Sequence, residues 1–480
     1  TTPHPVFVKS FPTGSSKQSA DYMYDRIVET MEPLGGPKNF FAVVTDSCPT
    51  NQAVWRRIEN DYGIFSFGCA AHAFNLMLDD IKKHEMVDKV IKKAKAIVKS
   101  INNCRTLKAI FSQKSKVSLK LPMKTRWLTL EACLSSVKKN KSLLKQMFLV
   151  DVVEDTLKLK KVKKIIGDDK FWNQLEGILK IFEVISNAIR RIEGDNASLG
   201  SVIKLIQEIE AYIENIEPDD SMFALRPKLR KIVSDRKDFL IKPIHIAAYM
   251  LHPFYKGGGL TAIERQAGVE VILKIGRRYE LDTDVVRSQL IKYNSKSDEF
   301  NSSILWAEDE IKDAPGWWAL FFPDYQLTSI ARKILQTPPT SCSVERSFSA
   351  QKHIHSVLRN RLTNSKVNKL MFIRQNLLMF TKNKSSIIIE EIENLLNSFD
   401  VEIDDQEAEM QLSEEECEED DVDFEVQPGE ISSYSLSDSE AESEPDSDDN
   451  SYVNTDVEMD AEGSFNDPST DDESDVYQEK

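Results

Sequence analysis

Five apolar positions in a row, Phe40-Phe41-Ala42-Val43-Val44, run into Thr45-Asp46 and then break into Ser47-Cys48-Pro49. An unalternating, β-branched run suits a strand covered on both faces, and Pro49 cannot continue a ladder, so the chain must turn there. Groups at the carboxyl ends of such strands in open α/β sheets face ligands, which makes Asp46 a candidate site residue; the alternative is that it caps the next helix. Residues 5–9 read as a short strand, and Ser19 as the cap of a helix from about Ala20 to Met31, ended by Pro33 and Gly35-Gly36. With the run at 40–45 these form a β-α-β unit. Val54, Trp55 and Ile58 mark a further helix that Gly63 breaks, and Ile64-Phe65-Ser66-Phe67-Gly68 is a second short apolar segment.

From Ile81 to about residue 300 the apolar period changes to 3.6. Phe171, Leu175, Ile178, Leu179, Phe182, Ile185 and Ile189 make one stripe; Val202, Ile203, Leu205, Ile206, Ile209 and Ile213 make another. Both suit helix–helix packing rather than ligand pockets. Pro315-Gly316-Trp317-Trp318 opens another block, followed by an amphipathic helix through Leu327, Ile330, Ile334 and Leu335 that stops at Pro338-Pro339. Thr340 or Ser341 then starts a helix carrying Glu345, Arg346 and Phe348. Beyond it, Leu358, Leu362, Val367, Leu370, Met371 and Ile373 continue an apolar face that packs a core or pairs subunits.

Charge changes this picture by position rather than by total. The formal net charge is −16, yet residues 401–480 hold 32 acidic residues and one lysine, leaving 61 basic against 46 acidic on residues 1–400. Residues 82–170 alone carry 24 Lys and Arg against 8 Asp and Glu, an electrostatic footprint for nucleic acid or else a set of solvated helix faces. The acidic, serine-rich tail is expected to be disordered and open to acidophilic kinases. A chromatin-chaperone role rests on that tail alone.

Six cysteines without framework spacing, no leader and no long apolar run point to a reduced, intracellular protein with no membrane span. The start at Thr1 rather than Met suggests a fragment. Lys160-Lys161-Val162-Lys163-Lys164 reads either as a nuclear import signal or as a charged helix face.

Two further pairs bear on chemistry. Cys69 and His72, three apart, can share a helix face, but two ligands fall short of the four a structural zinc site needs, so local packing or hydrogen bonding is the simpler reading. Arg126-Trp127 can place a guanidinium on phosphate while the indole stacks on an unpaired base, or can be an ordinary half-buried tryptophan.

Taken in order, Thr45-Asp46, Cys69-Ala70-Ala71-His72-Ala73-Phe74-Asn75-Leu76, Arg126-Trp127, Trp317-Trp318, Pro339-Thr340-Ser341-Cys342-Ser343-Val344-Glu345-Arg346-Ser347-Phe348-Ser349 and Arg359-Asn360-Arg361-Leu362 resemble the hAT superfamily of DNA transposases over roughly residues 3–380. The resemblance implies an α/β plus mainly α fold: a partial RNase H-like core interrupted by a large helical insertion. The segments are then 1–100 (core portion with the second Asp), 101–310 (insertion), 311–385 (last core helix and dimerisation region) and 386–480 (acidic disordered tail). It implies that Asp46 and Glu345 are the second and third carboxylates of a DDE triad holding Mg²⁺ or Mn²⁺. It also implies that Arg126, Trp127, Cys69, His72 and Arg346 lie at the DNA, with Trp127 against a flipped base.

The partners implied are DNA and a second copy of the chain, in the nucleus. The sequence departs from the family pattern in three ways. The first triad carboxylate belongs upstream of Thr1, and Asp21 and Asp25, on the expected first helix, cannot replace it. The family's BED-type zinc finger is missing from this chain, and Ser47 follows Asp46 where Asn is common. This chain alone is therefore expected not to catalyse transposition. Its parent is either an active strand-transfer enzyme or a domesticated, inactive DNA-binding and dimerising protein.

Overall fold

The computed structural model describes residues 6–381 apart from 12, 14–16, 123–127, 151–156, 195–196, 219, 307–312 and 355–363. The chain divides into two units, residues 1–404 and 405–480, and every described residue lies in the first. The acidic tail, Arg126, Trp127 and Arg359-Asn360-Arg361-Leu362 thus fall outside the described residues.

The described structure is mainly helical. α1 (Ala20–Met31) starts where the Ser19 hydroxyl accepts the Tyr22 N–H at 3.2 Å, as its sequence forecasts. β1 (Ala42–Thr45) leads into α2 (Pro49–Tyr62), whose proline sits at the first helical turn and whose end is closed by Gly63 at φ +66°. β2 (Phe65–Gly68) pairs with β1 in parallel, Ala42 opposite Phe65 and Thr45 opposite Gly68. Among the described residues these two strands are the whole sheet.

Both faces of the sheet are covered. Val43 packs with α1 and α2 on Tyr24, Val54 and Ile58, while Ala42, Val44 and Phe67 join the core on the opposite side. Alternation at period two thus serves two apolar layers at once, which is why the run reads as continuously apolar.

The expected strand at residues 5–9 is a correction. The described residues 6–11 form no ladder. Instead the Phe7 N–H donates to Asn376 Oδ1 at 2.9 Å, Asn376 Nδ2 donates to the Phe7 carbonyl at 3.0 Å, and the Ser10 hydroxyl donates to Asn368 Oδ1 at 2.6 Å. Two side-chain amides on one helix satisfy backbone groups that a neighbouring strand otherwise would.

Helices follow without further strands among the described residues: α3 (Ala70–Lys82), α4 (Glu85–Asn102), α5 (Arg105–Lys114), α6 (Leu128–Lys139), α7 (Lys141–Lys145), α8 (Leu157–Ile166), α9 (Asp169–Ile192), α10 (Ser201–Glu214), α11 (Arg226–Leu240), α12 (Pro243–Leu251), α13 (Ala262–Arg278), α14 (Thr283–Ser295), α15 (Ala314–Phe321), α16 (Gln326–Leu335), α17 (Cys342–Ile354) and α18 (Asn364–Thr381). The stripes expected along α9 and α10 are buried in one core with α3, α4, α6 and α11, except for Ile203, which packs with Ile246, Tyr249 and Met250. A second core gathers around α12, whose residues from Ile244 to Leu251 are all buried, as an all-round apolar helix requires.

Two contacts fasten the carboxyl-terminal half to the sheet. Arg278 donates to the Gly63 carbonyl at 2.9 Å and to the Phe40 carbonyl at 3.0 Å, and Phe67 meets His245 edge-on at 4.9 Å. Trp317 and Trp318 are core residues: their indole N–H groups donate to the Leu305 and Leu251 carbonyls at 3.1 and 2.8 Å. Lys160, Lys161, Lys163 and Lys164 form the solvent face of α8, while Val162 and Ile166 turn into the core. No helix among the described residues is long and apolar enough to cross a membrane.

Candidate functional site

Asp46 follows β1 directly and is exposed. It does not cap α2: the capping position is Cys48, which makes no side-chain cap. Its carboxylate instead accepts a short hydrogen bond from Asn51 Nδ2, and the same amide reaches the Asp46 carbonyl at 3.3 Å. Asn51 is buried, so it fixes the direction in which the acid points. The strand end is pinned as well, because the Thr45 hydroxyl accepts the Trp55 indole N–H at 2.9 Å and donates to the Asp46 carbonyl at 2.8 Å. Ser47 lies against the end of β2, where a Cβ on Gly68 would fall 2.2 Å from Ser47 Oγ. Only glycine admits that approach.

Beside this end stands Cys69. Its N–H donates to the Thr45 carbonyl at 2.7 Å, which extends the strand pairing by one residue. Its Sγ accepts the Ser341 N–H at 3.4 Å, and the Ala70 N–H donates to the Pro339 carbonyl at 3.0 Å. The loop before α17 is thereby docked onto the start of α3. Donation from Cys342 first, then from the Ser341 hydroxyl and the His72 and Ser341 N–H groups, holds the Cys69 thiol down to about 6 against the opposing effect of burial. Cys342 is pushed upward by its bond to Cys69 and by burial, and its Sγ also lies 3.4 Å from Glu193 Oε1. The five described cysteines are free.

These contacts tie the end of β1 to the loop that precedes α17. Asp46 is the residue after Thr45; Glu345 stands in the first turn of α17, just past Cys342; Cys69 bonds both Thr45 and Ser341, the latter 272 residues away in the chain. Glu345 and Arg346 are exposed at this corner. Cys69 is the residue before α3, which begins at Ala70, and His72 stands in the first turn of that helix. Among the described residues there is no group of three or more His, Cys, Asp or Glu able to hold a metal ion.

The sequence reading missed Asn51, the Thr45–Trp55 pair and the role of Ser341 and Cys342. Asn51 lies one helical turn past the strand end, a signal available in principle. The sulfur contact carries no local signal.

Residues 289–377 match the hAT family C-terminal dimerisation region, and residues 1–97 match a domain of unknown function, DUF659. Together the two matches support an hAT-family transposase-like protein. No curated protein matches it. The dimerisation match opens within α14, upstream of the expected start at 311, and so includes the buried tryptophans of α15, the helix α17 and most of α18. The second group differs in kind: Val344 and Phe348 on α17 and Phe372, Ile373 and Leu377 on α18 are exposed. Large apolar side chains left in solvent on adjoining helices are what a dimerisation region needs.

Proposed function

We propose that this hAT transposase-like chain is a DNA-binding body that pairs with a second copy through α17 and α18. In this reading β1, β2, α1 and α2 belong to an RNase H-like core whose helical insertion runs through the basic helices, and Asp46 and Glu345 are two of its three carboxylates. The observation that carries the reading is the corner itself: residues nearly three hundred positions apart meet through Thr45, Cys69 and Ser341. A parallel strand pair with helices on both faces supports the core assignment.

DNA binding is supported by charge. Among the described residues Lys161, Lys163 and Lys164 of α8 have no carboxylate partner, whereas Lys89, Lys92 and Lys93 pair with Glu85, Asp88 and Asp168. Such exposed pairs are weak and open readily to phosphate. Nuclear localisation belongs to this reading. Arg126 and Trp127 keep their proposed place at a flipped base.

Mg²⁺ or Mn²⁺ is the group that Asp46 and Glu345 would hold. Hard carboxylate oxygens suit either ion. The described residues supply two carboxylates and no cluster of three, which is short of a two-metal centre, so no strand-transfer step is derived from them.

The test has two arms. Duplex affinity of this chain is expected to fall by about 10³-fold or more between 50 and 200 mM salt if six or more phosphates are contacted, and a flat response contradicts DNA binding. In a parent carrying a complete triad, Glu345→Gln is expected to abolish Mn²⁺-dependent nicking with DNA binding retained. Nicking by that variant removes Glu345 from the site. DNA binding and pairing without nicking by the unsubstituted parent assigns the protein to the inactive, binding class.

A further inference from the structure

Lys256 and Lys296, from two turns far apart in the chain, bring their ammonium groups over one indole. Their Nζ atoms stand 4.4 and 4.9 Å from the Trp306 ring centroid. The arrangement is anchored on every side. Lys256 follows α12 at φ +48°, in a turn closed by the Gly257 N–H on the Tyr249 carbonyl at 3.1 Å and by Arg265 Nη2 on the Gly257 carbonyl at 2.6 Å. Lys296 caps α14 at φ +51°, a left-handed position that usually falls to glycine. Trp306 donates its indole N–H to the Phe300 carbonyl at 3.0 Å, and its ring packs on Trp317 and Tyr293.

Two like charges converging on one face need a reason. The indole face offsets only part of their repulsion. Among the described residues neither lysine has a carboxylate partner, and the neighbouring acids Asp298 and Glu299 are engaged by Lys292 at 3.1 and 3.7 Å. Burial first, and then the Lys296 charge, pulls the Lys256 ammonium down to about 8. An anion between the two amines relieves this and satisfies both sets of N–H donors.

We propose that Lys256, Lys296 and the Trp306 indole form an oxyanion site that takes a phosphate group, which in the DNA-bound protein is a backbone phosphodiester. Two ammonium groups fit two oxygens of a tetrahedral anion and carry no hydrogen-bond pattern for reading bases, so the site positions nucleic acid without selecting sequence. Its assignment to DNA rests on the DNA-binding reading above; the oxyanion site itself does not.

The first arm titrates the full chain with inorganic phosphate while following tryptophan emission, against sodium chloride at matched ionic strength. A saturable change is expected, absent in Trp306→Phe and in the paired Lys256→Gln, Lys296→Gln variant, with unchanged far-ultraviolet circular dichroism certifying folded protein. An identical response in the paired variant overturns the site. So does phosphate binding that appears only after Glu308, Asp309 and Glu310 are replaced by glutamine, because the lysines are then partnered by the chain's own carboxylates.

The second arm measures binding to a random-sequence duplex. The paired variant is expected to bind about tenfold more weakly near 0.1 M salt, with a log–log salt slope shallower by about one. Unchanged DNA affinity with a lost phosphate response overturns the phosphodiester assignment. If the unsubstituted chain binds no DNA, the DNA-binding reading fails, and the phosphate titration still decides the site.

Discussion

α9 and α18 are both long helices with apolar residues to bury, and they dispose of them differently. α9 closes Phe171, Leu175, Ile178, Phe182 and Ile185 inside the protein, against α3 and α6 among others. α18 buries Val367 and Met371 against the Phe7 segment, while Phe372, Ile373 and Leu377 remain exposed, as do Val344 and Phe348 on α17. Apolar area left in water is a cost that a second surface removes. The comparison separates residues that hold the monomer together from apolar residues left in solvent, and the dimerisation match spans both kinds.

Three measurements can break that separation, and the largest effect is expected inside. Trp318 is fully buried among Tyr293, Phe300 and Phe322 and bonded to the Leu251 carbonyl. Trp318→Ala is expected to lower the unfolding free energy by about 3–5 kcal/mol, read from urea denaturation. A loss under about 1 kcal/mol contradicts its place in the core.

Next in size is a pH effect on α12 and its end. Burial pushes His245 from 6.5 down to about 3 and His252 down to about 4, and both rings accept a backbone N–H at Nδ1, from Lys242 and Phe254. The folded protein therefore keeps them neutral, while the unfolded chain protonates them below about pH 6.5. Stability present at neutral pH is lost as pH falls from about 6.5 towards 4, by about 2 kcal/mol per ring at pH 5. Carboxylates held low, such as Glu214 at about 2 beside Arg230 and Arg226, act only below their ordinary value of 4.5. Equal stability at pH 7 and pH 5 contradicts the buried, neutral rings.

How much of this was legible in the chain depends on how local each cause is. The α1 cap at Ser19, the stop at Gly63, the strand from Ala42 and the stripes of α9 and α10 all follow from spacing within a few residues. Residues 6–11 look like a strand locally, and no nearby signal reveals that Asn368 and Asn376 hold them. Asp46 stands out because it ends an apolar run, whereas Asn51, whose amide donates to its carboxylate, was not singled out. The Cys69–Ser341 contact, which docks the loop before α17 onto the start of α3, depends on tertiary packing alone and has no local signal. Lys160-Lys161-Val162-Lys163-Lys164 resolves towards a charged helix face, because Val162 is buried.

The smallest effect on the monomer is expected from the exposed face, and there the pairing claim is most open to test. Cutting the chain after residue 310 is too blunt, since it also removes Trp317, Trp318, Leu327 and Ile330 from the core. Replacing Phe348 and Phe372 by serine leaves that core intact and is expected to change folding stability by no more than about 0.5 kcal/mol. The decisive measurement is the light-scattering mass of the intact chain beside this double variant. The account predicts a dimer for the first and a monomer with unchanged far-ultraviolet circular dichroism for the second; a monomeric intact chain, or a variant that keeps the dimer mass, contradicts it.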